Sequence, residues 1–333
     1  MLTTDHARRT LGAASLALGL AVAAGPALAQ ELKEVNFSEA MHNLGYINLY
    51  VGMHAGIFEK NGLKMNVSAA GGDTQTFAAV LGGSADFAIG DATMAQMSRE
   101  AGGPGVVVGT VVQRAHYFGV SKNLEPITDP KDFAGLTIVT SPDPNTNYSV
   151  AKRMLETAGL EIGTDTQILQ VNPGTEIGAM LAGQADMAIA YQPSVASAVD
   201  QGAKVVFDFA SYVGPFCNTG IMVLPETIER DPEMVQALVT SFEEAARLTY
   251  ADPDFAKEVA REEFPDLPPE VVDAAIDAQL EYLIPAQSVL VKEDQWQNLI
   301  DMQVYLGNVK GEVPFDEIID NSFAENAIKQ LDG

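Results

Sequence analysis

Asp91 and Tyr191 stand one hundred positions apart, and each lies two residues past the end of a version of the same short run of residues. The runs are Ala79-Val80-Leu81-Gly82-Gly83-Ser84-Ala85-Asp86-Phe87-Ala88-Ile89 and Ala179-Met180-Leu181-Ala182-Gly183-Gln184-Ala185-Asp186-Met187-Ala188-Ile189. They align without a gap and agree at seven of eleven positions. Each reads as a helix end, a glycine stop and a short buried strand, so the residue just past it leaves the strand at an open end. A carboxylate there could accept an amine or ring N–H, or cap the following helix. A phenol there offers a ring face and one hydrogen bond. Neither is an activated nucleophile, so the first chemistry this spacing suggests is binding.

The flanking segments repeat as well. Glu34 to Phe37 and Leu136 to Thr140 read as strands, each followed by a loop and a helix closing at Gly62 or Gly159. Lys64 to Ala69 and Thr166 to Val171 read as further strands, running into Gly71-Gly72-Asp73-Thr74 and Asn172-Pro173-Gly174-Thr175. Both of these are turn chemistry opening a helix. Each half is therefore strand–helix–strand–helix–strand, an α/β unit with mostly parallel strands. The β-rich stretches Gly105 to Val120 and Pro215 to Val223 are expected to cross between the halves and form a two-strand hinge. The helix-rich remainder after Pro225 is expected to pack on the first lobe. This divides the chain into 30–118 and 217–333 for lobe 1 and 119–216 for lobe 2.

Ligands of open α/β sheets sit beyond the carboxyl ends of the strands, where helix N-termini present free N–H groups. That rule selects His42, Asn43 and Tyr46 in the first loop, Gly72, Asp73 and Thr74 in the second, and Asp91 and Thr93 in the third. The matching loops of the second half supply Ser141, Asn145, Thr146, Tyr148, Gly174, Tyr191 and Gln192. Tyr46 and Tyr148 read equally well as packing residues, and Asn145 and Thr146 as caps. Arg114, at the end of a crossing strand, could clamp a carboxylate, sulfonate or phosphate, or serve a structural ion pair. Asn218 lies near the second crossing, beside Cys217, which reads as a small buried residue. His42 and His116 are both weighed, and His42, lying in the first loop, is carried into the site.

The chain carries 45 acidic against 19 basic residues, a net charge of −26. Such a polyanion repels nucleic acid and acidic lipid. The excess acid reads chiefly as a solvated surface, and otherwise as attraction for a cationic ligand. One cysteine excludes an internal disulfide, and the four histidines form no metal-ligand spacing. No metal or cofactor is expected. Arg8-Arg9, the apolar run Leu11 to Ala24 and Pro26-Ala27-Leu28-Ala29 read as a cleavable export signal over 1–29. The run falls short of the ~20 residues a membrane span needs. The arginine pair also weakly resembles a twin-arginine signal. A freely soluble periplasmic monomer is the expectation.

Gly56-Ile57-Phe58-Glu59-Lys60-Asn61-Gly62-Leu63, Gly83 to Gly90, Pro130-Lys131-Asp132-Phe133-Ala134-Gly135-Leu136, Leu181 to Asp186 and Pro314 to Asn321 together resemble the nitrate/sulfonate/taurine and thiamine-precursor family of periplasmic binding proteins. The resemblance implies a type II periplasmic-binding-protein fold, an ABC-type permease as partner, and a small solute. It leaves the solute open between a sulfonate or carboxylate, suggested by helix N-termini and Arg114, and a nitrogenous ring compound, suggested by Asp91 and the tyrosines. An enzyme is the weaker alternative. The similar fungal enzyme of thiamine-pyrimidine synthesis carries a Cys/His-rich motif absent here, and neither a Gly-x-Ser-x-Gly elbow nor a P-loop is present. A sensor presenting the same lobes to a membrane receptor is the other alternative.

Overall fold

The computed structural model describes residues 32–143 and 145–333. The expected export signal lies outside them. The strands are β1 (Lys33–Glu39), β2 (Leu63–Ala69), β3 (Phe87–Asp91), β4 (Val106–Arg114), β5 (Tyr117–Ser121), β6 (Thr137–Thr140), β7 (Gln167–Gln170), β8 (Met187–Tyr191), β9 (Lys204–Asp208) and β10 (Pro215–Val223). The described residues form two five-stranded sheets, β2-β1-β3-β10-β4 and β7-β6-β8-β5-β9. In the first, β1 runs parallel to β2 and β3, and β10 is antiparallel between β3 and β4. In the second, β6 runs parallel to β7 and β8, and β5 is antiparallel between β8 and β9. The two sheets thus have one plan, and helices pack on them as in an α/β fold of two lobes.

The sequence repeat is a structural repeat. Gly83 and Gly183 both take φ 74°, a left-handed turn that a side chain would strain. The N–H groups after them, of Ser84 and Gln184, return to the carbonyls of Ala79 and Ala179 at 2.9 and 3.0 Å. Asp86 donates its N–H to Asn36 O at 2.7 Å and accepts Asn36 N–H on its carboxylate at 3.0 Å. Asp186 does the same to Thr137, at 2.8 Å both ways. The repeated aspartate therefore locks the start of each inner strand to its parallel neighbour. Asp186→Ala will lower stability by about 1 kcal/mol in urea denaturation, since one charge-assisted bond is lost at a solvated position.

The chain passes between lobes at Ala115-His116, between β4 and β5, and again through the helix Phe209–Val213 and Gly214, before β10. The boundaries expected at 118/119 and 216/217 fall inside β5 and β10. The first crossing interrupts its apolar run with Gln113-Arg114-Ala115-His116, and the second is a short helix between two β-rich runs. Each crossing strand becomes the antiparallel fourth member of the sheet it enters.

After β10, the helices Pro232–Ala251 and Pro253–Glu263 start on Asp-Pro pairs. Asp231 and Asp252 accept the N–H of Met234 and Phe255 at 3.0 Å each, with Pro232 and Pro253 in the first turn. The helix Pro232–Ala251 packs against Ile47–His54 and Ser322–Asp332. Its Phe242 is buried against Phe37 of β1 and Phe58, with ring centroids 5.7 and 5.5 Å apart. The C-terminal region is not confined to the first lobe: Pro269–Glu281 meets Ser194–Asp200, and Glu293–Tyr305, carrying buried Trp296, meets both β10 and Thr146–Thr157.

Candidate functional site

The strand ends of the two sheets enclose a pocket lined by Ala40, Met41, Asn43, Tyr46, Asp73, Asp91, His116, Thr146, Tyr191, Asn218 and Thr219. Its cavity volume is about 20 Å³. Asp91 ends β3 in the first sheet, and Thr146 opens the helix after β6 in the second. The Thr146 hydroxyl donates to Asp91 Oδ2, so the two lobes are joined by a hydrogen bond through the pocket. Asp91 Oδ1 accepts Thr93 N–H at 2.8 Å, making this carboxylate a helix cap and a cross-lobe contact at once. Asp73 Oδ1 in turn accepts Asp91 N–H at 2.8 Å. Gly90 makes this approach possible, because a Cβ there would lie 2.9 Å from Asp73 Oδ1.

Burial is the main electrostatic force in this pocket. It pushes Asp73 up to about 7, with the neighbouring Asp91 charge adding to it. It also raises Asp91, against the Thr146 and Thr93 hydrogen bonds that hold it down. The pair shares its protons and titrates as a unit. Burial drives His116 down to about 3, so its ring is neutral. His116 stands edge-on to Tyr191 at 4.8 Å and tilted to Tyr46 at 6.3 Å, forming an aromatic wall. Gly45 lets that wall close, since a Cβ there would meet His116 Nδ1 at 2.2 Å.

Of the residues selected from sequence, Asn43, Tyr46, Asp73, Asp91, Thr146, Tyr191 and Asn218 line the pocket. His42, Gly72, Thr74, Asn145 and Gly174 line two neighbouring pockets, which share Asp73 and Met41 with it. His42 is held there by Glu39 at 3.2 Å and stacks on Phe264 at 4.7 Å; the Glu39 hydrogen bond raises its pKa. Five candidates lie outside this lining. The Thr93 backbone caps on Asp91, and Gln192 accepts Ala196 N–H at 3.0 Å. Ser141 donates to Glu176 at 2.6 Å, and Tyr148 stands in the first turn of Thr146–Thr157. Arg114 donates to Ala210 O at 3.4 Å beside the second crossing. Arg114, read as an anion clamp or a structural ion-pair residue, lines none of these pockets, and no lysine or arginine does.

Sequence reasoning missed three lining residues of the first loop and β10 (Ala40, Met41 and Thr219) and left His116 aside. Asn218 and Thr219 are consecutive, yet both face the pocket because β10 shifts register around Thr219. It also missed Glu39 and Glu176, which are 3% and 1% exposed. Glu39 accepts the Tyr50 hydroxyl at 2.7 Å. Glu176 stands one hundred residues after Thr76, whose hydroxyl donates to Ser38 at 2.6 Å, so the repeat replaces a Ser–Thr pair with a Ser–Glu pair. The repeat register was the signal that could have found it. Among the described residues no group of three or more His, Cys, Asp or Glu side chains could hold a metal ion.

A family model described as NMT1/THI5 like matches residues 43–256. No curated protein matches the chain. Among solved structures, the periplasmic aliphatic sulphonate binding protein SsuA from Escherichia coli aligns with TM-score 0.69 and 19% identity, over 87% of this chain and 93% of that one. The periplasmic nitrate-binding protein NrtA from Synechocystis PCC 6803 aligns with TM-score 0.71 and 13% identity, over 90% and 89%. The desulfurization enzyme DSZB aligns with TM-score 0.64 and 14% identity, over 90% and 99%. At these identities the likeness is one of fold.

Proposed function

The chain belongs to the NMT1/THI5-like family, and from that membership we propose that it is the periplasmic solute-binding component of an ABC-type importer. It captures a small solute between its lobes, closes by bending at the two crossings, and presents the closed form to a membrane permease. One observation carries this reading: a single pocket is built from the strand ends of both sheets and bridged by Thr146 and Asp91. Periplasmic binding by SsuA and NrtA, which share the fold, supports it.

DSZB shows that the same fold can also hold an enzyme. Here the pocket offers no activated nucleophile. Cys217 does not line it, and burial pushes its thiol up to about 12. Thr146 spends its proton on a carboxylate, and His116 Nδ1 has no partner.

The test is small-angle scattering and calorimetry on the exported protein against amines, amidines, neutral amides, carboxylates, sulfonates and nitrate. A binding solute will narrow the solution shape and will be recovered intact after overnight incubation. A shape indifferent to every compound, or conversion of the bound compound, would overturn the proposal.

A further inference from the structure

Asp73, Asp91 and the Asn218 side-chain oxygen face one small space with no cation beside them, and from this we infer that the pocket is built for a compact organic cation presenting adjacent N–H groups, of the amidinium or guanidinium type. This rests on the binding function proposed above and names its ligand class.

The argument is one of unmatched acceptors. Asp91 gives both oxygens to the protein, yet it receives only a backbone N–H and one neutral hydroxyl. Asp73 gives Oδ1 to Asp91 N–H, and no lysine or arginine lines the pocket beside it. Asn218 is 2% exposed and its Oδ1 has no partner, an independent sign that a donor belongs there. Of the donors nearby, Thr146 O–H goes to Asp91 and Asn43 Nδ2 to Met41 O at 3.2 Å, and the unpartnered hydroxyls of Thr93 and Tyr117 are neutral. A ligand could supply the charged N–H groups that the lining lacks. Buried acceptors that remain unpaired cost free energy, and buried like charges cost more. A planar cation with two parallel N–H groups matches a carboxylate edge bidentately. The neighbouring rings of Tyr46, His116 and Tyr191 add faces toward which a cation is attracted.

The surrounding charges point the same way. Glu39 at the end of β1 and Glu176 in the helix Glu176–Leu181 are buried, and both acids interact with pocket tyrosines. Tyr117 on β5 and Cys217 on β10 are neutral, and each feels the Asp91 charge. The remaining ionisable neighbour, His42, lines a neighbouring pocket and is held by Glu39 and Glu263. An anion would enter this field with no positive partner.

The experiment titrates acetamidinium and methylguanidinium into the exported protein by calorimetry. Acetamide and methylurea serve as neutral isosteres, and acetate, methanesulfonate and nitrate as anions. The cations will bind at least tenfold more tightly than their isosteres. Between pH 5 and 7 their affinity will rise by up to about tenfold per unit, because the Asp pair must release its shared proton, and it will level above. Asp91→Asn will abolish the preference. In the unaltered protein, tighter binding of an anion with lobe closure would overturn this inference and leave the importer proposal standing. Failure of all compounds to bind or close the lobes would sink both. Equal binding of cations and isosteres, or cation affinity flat with pH, would exclude the ionic role of the pair alone.

Discussion

Replacing Asp73 by Asn will stabilise the ligand-free protein at pH 8 relative to its effect at pH 5, by about 2–3 kcal/mol. Asp73 has an ordinary carboxyl pKa when unfolded and one pushed up to about 7 when folded. Between those values the folded state holds the proton that the unfolded state has lost. Stability therefore falls as pH rises through this window, by about 1.4 kcal/mol per unit, and is flat above it. Solvent reaching Asp73 from the neighbouring pocket trims the full effect. Asn keeps an oxygen for Asp91 N–H and removes the proton linkage, so the variant-minus-wild-type difference should grow from pH 5 to about 7 and then hold.

Comparison with the variant is needed because other groups tilt the raw profile. His116, depressed to about 3, is neutral when folded but charges in the unfolded chain below about 6.5. It contributes stability that is present above the unfolded pKa and lost on acidification. His42, raised, contributes in the opposite sense. Urea denaturation at pH 5, 6, 7 and 8 on both proteins isolates the aspartate. A difference that stays constant would remove the Asp73 term.

Phe242→Ala will cost about 3–5 kcal/mol, the range for emptying a large aromatic from a packed core. Phe242 belongs to the C-terminal part of the chain, yet its ring is enclosed by Phe37 and Phe58 from the N-terminal part. The same cavity should therefore loosen the sheet that carries Asp91. Amide exchange of β1 and β3 will accelerate along with that of Pro232–Ala251. If only the helix loosens, Phe242 is a local contact and not part of the core of that lobe.

The duplication was legible because its key residues have few substitutes. A left-handed turn asks for Gly83 and Gly183, and a carboxylate facing an adjacent strand's N–H asks for Asp86 and Asp186. The cleft was legible because strand ends of parallel units attract ligands for a general reason. Three things were hidden. The second crossing is a short helix, Phe209-Ala210-Ser211-Tyr212-Val213, composed like the strands beside it, so composition does not mark it. The face a residue presents depends on register: Arg114 ends a long strand and turns toward Ala210, while the irregularity at Thr219 brings two consecutive side chains inward. Glu39 and Glu176 read as polar ends of elements, and only tertiary packing shows that water has been taken from them.

The exchange of strands between the sheets has a consequence for how the molecule comes apart. β5 is the fourth strand of the second sheet but follows β4 of the first, and β10 is the reverse. The strands of the second sheet, β5 to β9, are one contiguous stretch, whereas the first sheet is split by them and takes its last strand, β10, from beyond, so no single truncation yields the first lobe whole. During synthesis the first lobe must wait, one strand short, until the second has left the ribosome, which makes the two halves partners in folding before they are partners in function.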